Sequence, residues 1–167
     1  SAANAGVKAT RKASARGAPT IRWSGNERGW APEPCWNVVR EEDVLKFSAG
    51  KVKSDGRGSV WLPVECDVPI RETWFWRRDN EKSLKSLEEL LVIYHRSIGR
   101  GANLLLNVAP DTRGLLPDLD VKRLLELGSE VRKRFGAPAA TASGTGTDLE
   151  LEIPASATID HVVLRED

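Results

Sequence analysis

The chain has 167 residues, which is enough for one compact domain with its own hydrophobic core. Its net charge of +1 gives no overall electrostatic reason to bind nucleic acid or an acidic membrane, so we expect neither partner. The sequence has no apolar run of about 18 residues and no visible secretory signal. A transmembrane helix is therefore not expected, and the cellular compartment stays open.

The N-terminal residues 1–18 are rich in Ala, Ser and Gly and carry four cations without an acid, which predicts a disordered basic arm. Thr20–Trp23 predicts a short strand, with Ile21 and Trp23 on one face and Arg22 on the other. A turn-rich loop follows over Ser24–Gly29. Residues 40–60 are polar and glycine-containing, which predicts a surface loop.

The segment Trp61–Arg71 and the following Trp74-Phe-Trp76 combine acidic, proline and aromatic residues that a strand packed in a core does not need. Glu65 and Asp67 are two residues apart, so they face the same side of an extended segment. Carboxylates beside flat aromatic faces are typical of a sugar-binding cleft, because they accept hydrogen bonds from hydroxyls while indoles cover C–H faces. The alternative is a loop that buries its tryptophans against a barrel wall.

The spacing of apolar residues predicts a helix over Ser83–Ile98, which Gly99 and Gly101 end. Ser86 and Glu89 fit a capping box, although Ser83 could also begin the helix. Its predicted apolar face consists of Leu87, Leu90, Leu91, Tyr94 and Ile98. His95 lies beside this face, and we expect a structural or solvent-facing role for it.

Asn103–Val108 is an apolar run that predicts a strand buried on both faces, as in a parallel sheet covered by helices. A turn over Asp111–Gly114 and a second helix from Pro117-Asp118 follow, and Gly136 ends that helix. Its predicted inward residues are Val121, Leu124, Leu125, Val131 and Phe135. The order of strand, helix and strand favours a parallel α/β unit.

The C-terminal part changes character after residue 138. Residues 139–147 are rich in Ala, Thr, Ser and Gly, which predicts a linker. Leu149–Ile153 and Thr158–Leu164 alternate like strands. Two strands do not form a stable domain alone, so we expect residues 148–167 to open a β domain.

Cys35 and Cys66 are the only cysteines. They could form one bridge or remain two buried free thiols, and sequence alone does not decide between these alternatives. Their spacing is not that of a zinc site, and no ligand cluster is visible. We therefore expect no metal or other cofactor.

Four ordered blocks together resemble the α-L-fucosidases of glycoside hydrolase family 29, in the branch found in plants and bacteria. The resemblance covers about residues 20–136 and, more weakly, residues 148–167. The blocks are Ile21-Arg-Trp-Ser-Gly-Asn-Glu27; Trp61–Arg71 with Trp74-Phe-Trp76; Tyr94-His-Arg-Ser-Ile-Gly-Arg100 with Asn103-Leu-Leu-Leu-Asn107; and Pro110-Asp-Thr-Arg-Gly114.

The resemblance implies the last strands and helices of a TIM (β/α)8 barrel over residues 19–138, followed by the start of a β-sandwich. It implies a retaining hydrolase with two carboxylates. The family nucleophile is an Asp on an earlier barrel strand, which we expect outside this sequence. The acid/base matches Glu27, near Trp23 and Trp30. Without the resemblance, Glu27 would be interpreted as a solvated loop acid.

The resemblance also suggests substrate-binding residues. Trp74 resembles the aromatic wall beside the fucose methyl group, with a buried core tryptophan as the alternative. Glu65 and Trp23 are expected to bind substrate, and Arg22 is a candidate hydroxyl donor or partner of Glu27. Glu65 and Asp67 are also a rival acid/base pair, or partners in salt bridges to Arg71 or Arg77.

Two further positions, Asn107 and Asp111, could line the barrel mouth or cap a turn, and we favour the cap. The sequence departs from the family pattern at Glu72-Thr73 and at Arg77, which affects the loop beside the expected pocket.

The expected function is retaining hydrolysis of terminal α-L-fucosyl linkages on a fucosylated glycan, with this chain as a fragment of the catalytic barrel. The alternative is a non-catalytic remnant that at most binds carbohydrate or a partner. Exposed sheet edges in such a fragment favour self-association. Family members are often secreted or periplasmic.

Overall fold

The computed structural model describes residues 19–46 and 54–164 as a mixed α/β structure, so the predicted basic arm over residues 1–18 lies outside the described residues. The strands are β1 (Arg22–Trp23), β2 (Val38–Val39), β3 (Val60–Trp61), β4 (Val64–Pro69) and β5 (Asn103–Asn107). The α-helices are α1 (Leu87–Arg96) and α2 (Asp118–Phe135), and short 3-10 helices span Glu41–Lys46, Glu81–Ser83 and Ile98–Arg100. None of the helices in these two ranges is long and apolar enough to cross a bilayer.

The central sheet has three parallel strands in the order β1-β4-β5. Helix α1 connects β4 to β5, and α2 follows β5, which confirms the predicted parallel α/β unit. Alternation along β4 buries Val64, Cys66 and Val68 on one face and leaves Glu65 and Asp67 half-buried on the other.

The main core lies between the sheet and its two helices. Val68 and Ile70 from β4 and its end pack against Leu90 and Ile93 of α1, and all four side chains are at most 5% exposed. Partly buried side chains of β5 and α2 extend this core: Leu104, Leu106, Leu124 and Leu127. Burying each large side chain contributes roughly 1.5–3 kcal/mol, so this layer holds the sheet and helices together.

Helix α1 begins where its capping box predicts. The Ser86 hydroxyl accepts a hydrogen bond from the Glu89 backbone, and the Glu89 carboxylate accepts one from the Ser86 backbone. Ser83 instead ends a separate 3-10 helix. Ile98 is wrong as a core residue because the helix ends at Arg96 and the following turn leaves Ile98 exposed, while Ile93 is buried in its place.

Helix α2 has its predicted boundaries, with Pro117 before its first turn and Gly136 after its last. Val121 and Leu125 are exposed, so the predicted inward face is wrong at these two positions. Only a narrow stripe around Leu124 and Leu127 meets the core, since the helix packs against the sheet at one side.

The strand β5 is not buried on both faces as predicted. Leu104 and Leu106 point toward the helices, whereas Leu105 is 45% exposed on the other face of the sheet. Trp23 of β1 is 38% exposed on the same face, which we call the open face. Its side chains include Trp23, Glu65, Asp67 and Leu105.

The structure corrects two further predictions of secondary structure. Residues 40–60, predicted as a surface loop, contain a 3-10 helix over Glu41–Lys46, and Val60 begins β3, which pairs antiparallel with β2. Residues 47–53 of this predicted loop lie outside the described residues. Leu149–Ile153 and the described part of the C-terminus up to Leu164 form no strand. An alternating pattern needs a hydrogen-bonded neighbour to become a strand, and neither segment has one among the described residues.

Candidate active site

The candidate site lies where the three parallel strands end, since their carboxyl ends meet at one edge of the sheet. The Ser24 amide donates to Glu65 O at 2.8 Å, and the Ile70 amide donates to Asn107 O at 2.9 Å. These bonds hold the loops that leave β1 and β4 at the sheet edge. Residues carried by these loops are therefore brought together although they are far apart in sequence.

Glu27 and Trp74 meet at this edge. The Trp74 indole N–H donates a hydrogen bond to Glu27 Oε2 at 3.1 Å, across 47 positions of sequence. Asn107 at the end of β5 donates through Nδ2 to the Trp74 carbonyl at 2.9 Å. Glu27 is exposed and Trp74 is half-buried. Residues at the carboxyl ends of β1, β4 and β5 thus together hold the Glu27 carboxylate beside the Trp74 indole.

An Asn side chain shapes the loop that carries Glu27. Asn26 Oδ1 accepts hydrogen bonds from the Arg28 amide at 3.0 Å and the Trp30 amide at 3.4 Å. Its Nδ2 donates to the Trp30 carbonyl at 2.8 Å. Such side-chain-to-backbone bonds define a tight turn, so the direction of Glu27 is set by its neighbour.

Gly29 allows the loop that carries Glu27 to pack closely against the core. Its φ of +73° is one that side-chain-bearing residues rarely adopt. A Cβ atom there would lie 2.8 Å from both Ile93 Cγ2 and Val68 Cγ1. Glycine is required because the backbone contacts α1 and β4 directly.

The loop that carries Trp74 is held by a buried ion pair. Arg71 is 5% exposed and its guanidinium makes three contacts of 2.8–3.1 Å with the carboxylate of Asp120, which is 1% exposed. Arg71 Nη1 also donates to Asn80 Oδ1 at 2.8 Å, and Asn80 Nδ2 donates to Thr73 Oγ1 at 2.9 Å. The network therefore joins the start of α2 to the residue before Trp74.

The half-buried Lys85 stabilises the end of β4 through hydrogen bonds to its backbone. Its Nζ donates to the carbonyls of Pro69 at 2.7 Å and Arg71 at 3.0 Å. Burial lowers the pKa of this ammonium, and the nearby Glu89 carboxylate opposes that shift. Lys85 thus acts on the backbone rather than projecting freely into solvent.

Two of the predicted substrate-binding residues lie side by side on the open face. Trp23 of β1 and Glu65 of β4 are register partners, and Trp23 is 38% exposed. The Trp23 indole N–H donates to Asp67 Oδ1. The pair Glu65 and Asp67 therefore faces one side, as the spacing predicts, with an indole beside it.

The suggested salt bridges from this pair are wrong. Arg71 bonds to Asp120 instead, and Arg77 bonds to Asp79 at 2.8 Å.

Arg22 lies on the opposite, buried face of the sheet from Trp23. Its guanidinium donates to the carbonyls of Leu62, at 3.2 Å, and Trp36. Burial lowers its pKa. These bonds tie Arg22 to the backbone on the face opposite Trp23, and its suggested role as a donor to a substrate hydroxyl or to Glu27 stays a prediction.

Of the two positions that could line the mouth or cap a turn, Asp111 is a cap. Its Oδ1 accepts from the Arg113 amide at 2.8 Å and from the Leu115 amide at 3.4 Å. The side-chain hydrogen bond from Arg113 lowers the pKa of Asp111. Asn107 has a different role from the one predicted, since it anchors the Trp74 loop.

A cleft of about 560 Å³ opens from Glu27 and Trp74 toward α1, between the loops that follow β1 and β4. Its further lining residues are Arg28, Trp30, Val68, Pro69, Arg71, Glu72, Lys85, Glu88, Glu89, Val92 and Ile93. We call it the Glu27–α1 cleft. Its volume falls within the range of small-molecule sites.

Both cysteines are free thiols within one small core, where Cys66 is buried and Cys35 packs against it. Burial raises the pKa of Cys66 to about 11 and also raises that of Cys35. Among residues 19–46 and 54–164, no group of three or more His, Cys, Asp or Glu side chains could hold a metal ion.

Sequence reasoning missed Asn26, Arg71, Asn80 and Asp120 as residues that build the site. Asn26 had a signal, because Asn after Ser-Gly is typical of a turn closed by its side chain. Arg71 and Asp120 are 49 positions apart and carried no pairing signal in a single sequence.

The family model for α-L-fucosidase matches residues 42–134, which is more than half of the chain. The chain belongs to the α-L-fucosidase family. It is 38% identical over 117 residues to α-L-fucosidase 1 of Arabidopsis thaliana, covering 68% of this chain and 22% of that protein. The chain spans about a quarter of the length of the curated relatives that it matches.

Solved structures of glycoside hydrolase family 29 proteins share the fold of this family member. A glycoside hydrolase family 29 fucosidase of Ruminococcus gnavus in complex with fucose is 31% identical, with a TM-score of 0.60 over 71% of this chain and 24% of that one. SpGH29 is 35% identical, with a TM-score of 0.63 over 75% of this chain and 28% of that one. The resemblance to glycoside hydrolase family 29 is thereby confirmed.

Proposed function

We propose that this α-L-fucosidase family member supplies the C-terminal part of a retaining glycosidase barrel, with Glu27 as the acid/base. The observation that carries the proposal is the hydrogen bond between Glu27 and Trp74 at the carboxyl ends of parallel strands. Enzymes built on TIM barrels place their reacting groups at this end of the strands. The substrate class is a fucosylated glycan, in line with the fucose complex of the Ruminococcus gnavus relative.

The proposed barrel segment covers residues 19–138. The parallel order β1-β4-β5, with α1 between β4 and β5 and α2 after β5, is what βα units of a TIM barrel provide. The connection from β1 to β4 contains the antiparallel pair β2-β3 and a 3-10 helix. The open face is then the inside of the barrel. Residues 139–147 are the proposed linker, and residues 148–167 the proposed start of the β-sandwich domain.

In the proposed reaction, a carboxylate from a strand outside this sequence attacks the anomeric carbon while Glu27 gives its proton to the leaving oxygen. Glu27 then takes a proton from water, which cleaves the fucosyl–enzyme bond. Trp74 packs against the apolar methyl group of fucose and orients Glu27 through its N–H. Glu65 and Trp23 face the inside of the barrel and bind sugar hydroxyls and C–H surface.

The test is hydrolysis of 4-nitrophenyl α-L-fucoside by the encoded protein, expressed with any coding sequence that precedes Ser1. Glu27→Gln should reduce turnover by a factor of about 10²–10⁴, the usual contribution of a positioned general acid. Glu33→Gln is the matched control, because Glu33 is also an exposed loop acid and pairs with Arg100 away from the cleft. Equal activity of Glu27→Gln and wild type would contradict the assignment.

A non-catalytic, partner-binding role is the second candidate, and the open face favours it. Trp23 and Leu105 are 38% and 45% exposed there, and the sheet ends in unpaired strands among the described residues. Such a surface favours self-association. Light scattering of the isolated chain would give a mass above the monomer's 18.4 kDa, with no fucoside hydrolysis, if this role is correct.

A further inference from the structure

We propose that residues 158–164, which we call the C-terminal segment, are held against helices α1 and α2 by a stacked pair of histidines that releases the segment when acid protonates it. The pair is His95 and His161, the two histidines of the sequence. Neither of them lines the Glu27–α1 cleft, so the proposal does not depend on the role of Glu27.

Aromatic rings from three parts of the chain meet where the C-terminal segment contacts the helices. The His161 ring stacks on the His95 ring of α1, with ring centroids 5.3 Å apart and planes within 2° of parallel. Phe135 at the end of α2 meets both imidazoles edge-on, at 5.0 Å from His161 and 5.8 Å from His95. Tyr94 stacks on Phe135 at 5.4 Å. His161 is thus inserted into an aromatic group that the two helices form.

The rest of the C-terminal segment is exposed. Within residues 158–164, His161 is the one residue that is not exposed, and the segment forms no helix or strand. Val162, Val163 and Leu164 are 66–83% exposed. The position of the segment on the helices therefore depends on the ring contact of His161.

The charges that act on His95 come from α2 and from the C-terminal segment. Burial, His161 and Arg134 of α2 all lower the pKa of His95. On α1 itself the neighbouring titratable group is the uncharged Tyr94, whose ring is 6.0 Å from that of His95. A proton on His95 therefore meets cationic groups from two directions.

One carboxylate opposes this effect, but solvent screens it. His161 Nδ1 lies 2.9 Å from Asp160 Oδ1, and the Asp160 side chain is 79% exposed. Arg134 acts on Asp160 as well and is itself paired with Glu130 at 3.3 Å. An exposed pair of this kind contributes little, so it does not cancel the repulsion within the stack.

The direction of the pH effect follows from these contacts. Imidazole side chains take up a proton near pH 6.5, so acid places like charges on two rings with centroids 5.3 Å apart. Even with the screening of bulk water, two charges at this distance shift an equilibrium about fourfold. Because the pKa of His95 is lowered in the docked state, that state binds fewer protons than the released one. Docking is therefore favoured above the pKa of the released histidine and is lost as the pH falls through it.

The test is NMR of the encoded protein, expressed with ring-labelled histidine and with any coding sequence that precedes Ser1. His95→Phe and His161→Phe identify the two histidine signals by their loss. We expect a ring-to-ring NOE between His95 and His161 at pH 7.5. The ratio of docked to released segment, taken from this NOE, should fall about fourfold or more at pH 5.0, while the circular dichroism at 222 nm is unchanged.

Arg134→Gln and Arg132→Gln are a matched pair, because both residues are exposed cations in the last turn of α2. Arg134→Gln should raise the pKa of His95 and shift the release of the segment to lower pH, since Arg134 is the residue of α2 whose charge lowers that pKa. Arg132→Gln should leave both quantities as in wild type.

Three results would overturn the proposal. The first is an NOE between His95 and His161 that is absent at pH 7.5, and the second is one that is undiminished at pH 5.0. The third is loss of the NOE together with the signal at 222 nm, because the whole fold would then unfold rather than the C-terminal segment alone. None of these results bears on fucoside hydrolysis, so this proposal and the proposed function fail separately.

Discussion

Breaking the buried ion pair between Arg71 and Asp120 should destabilise the protein strongly. Replacing Asp120 with Ala leaves the guanidinium of Arg71 buried at 5% exposure with only its bond to Asn80. Three charge-assisted contacts of 2.8–3.1 Å are lost. Removing one partner of such a pair costs about 3–5 kcal/mol. That is a large part of the roughly 5–15 kcal/mol by which a domain is stable.

The assay is guanidinium unfolding followed by circular dichroism at 222 nm. Asp118→Ala is the matched control, because Asp118 occupies the first turn of the same helix but is exposed. It should lose the interaction with the helix dipole, about 0.3–1 kcal/mol, and a solvent-screened attraction to the exposed Arg113 that adds little. The paired replacement Arg71→Leu with Asp120→Leu should recover more than half of the loss, since it removes both buried charges. An Asp120→Ala loss below about 1 kcal/mol would refute the reasoning.

Three further predictions concern the site, a thiol and the histidines. Trp74→Phe keeps an aromatic wall but removes the indole N–H that donates to Glu27. Because such a hydrogen bond is worth about 1 kcal/mol, kcat/KM for the aryl fucoside should fall roughly fivefold. An unchanged kcat/KM would contradict the orienting role of Trp74. Cys66 is buried and its pKa is raised to about 11. Its thiol should therefore resist iodoacetamide at pH 8 in the folded protein and react after unfolding in urea. Rapid labelling of Cys66 in the folded protein would contradict its buried position. Burial and the stacked His161 ring, 5.3 Å away, lower the pKa of His95, so the folded state binds fewer protons than the unfolded state as pH falls through 6.5. The free energy of unfolding should therefore decrease between pH 7 and pH 5, and His95→Phe should reduce that slope; an unchanged slope would contradict the assignment.

Local sequence signals were sufficient to predict those helices and strands whose boundaries are set by residues close together in sequence. The capping box of Ser86 and Glu89 placed the start of α1, and Pro117 and Gly136 bounded α2. The strand β1 was predicted from the alternation of Ile21, Arg22 and Trp23. Each of these signals acts between residues no more than four apart, so a single sequence contains them.

Features that depend on distant partners could not be predicted from the residues alone. Leu105 lies in an apolar run that predicts burial on both sides, but its exposure depends on which element covers the sheet. The alternating residues after Leu149 needed a strand neighbour that the described structure does not contain. Arg22 was placed on the correct face by alternation, yet its bonds to the carbonyls of Leu62 and Trp36 were not predictable.

The candidate site likewise contains residues that were predicted from the sequence and residues that were not. Glu27 and Trp74 were chosen by resemblance, and their contact follows from the parallel register of β1, β4 and β5. The residues that hold them in place, Asn107 and Arg71, act across strand ends and were either given another role or missed.

The most direct test of the central claim is chemical rescue of Glu27→Gln by azide, in the protein expressed with any coding sequence that precedes Ser1 and with the product identified by proton NMR. Without an acid/base, a fucosyl–enzyme intermediate accumulates from an activated aryl fucoside, and azide attacks it without needing a general base. We predict that azide restores turnover and gives fucosyl azide of α configuration, the same as the substrate. No rescue, or a product of β configuration, would contradict the assignment of Glu27 as the acid/base of a retaining α-L-fucosidase.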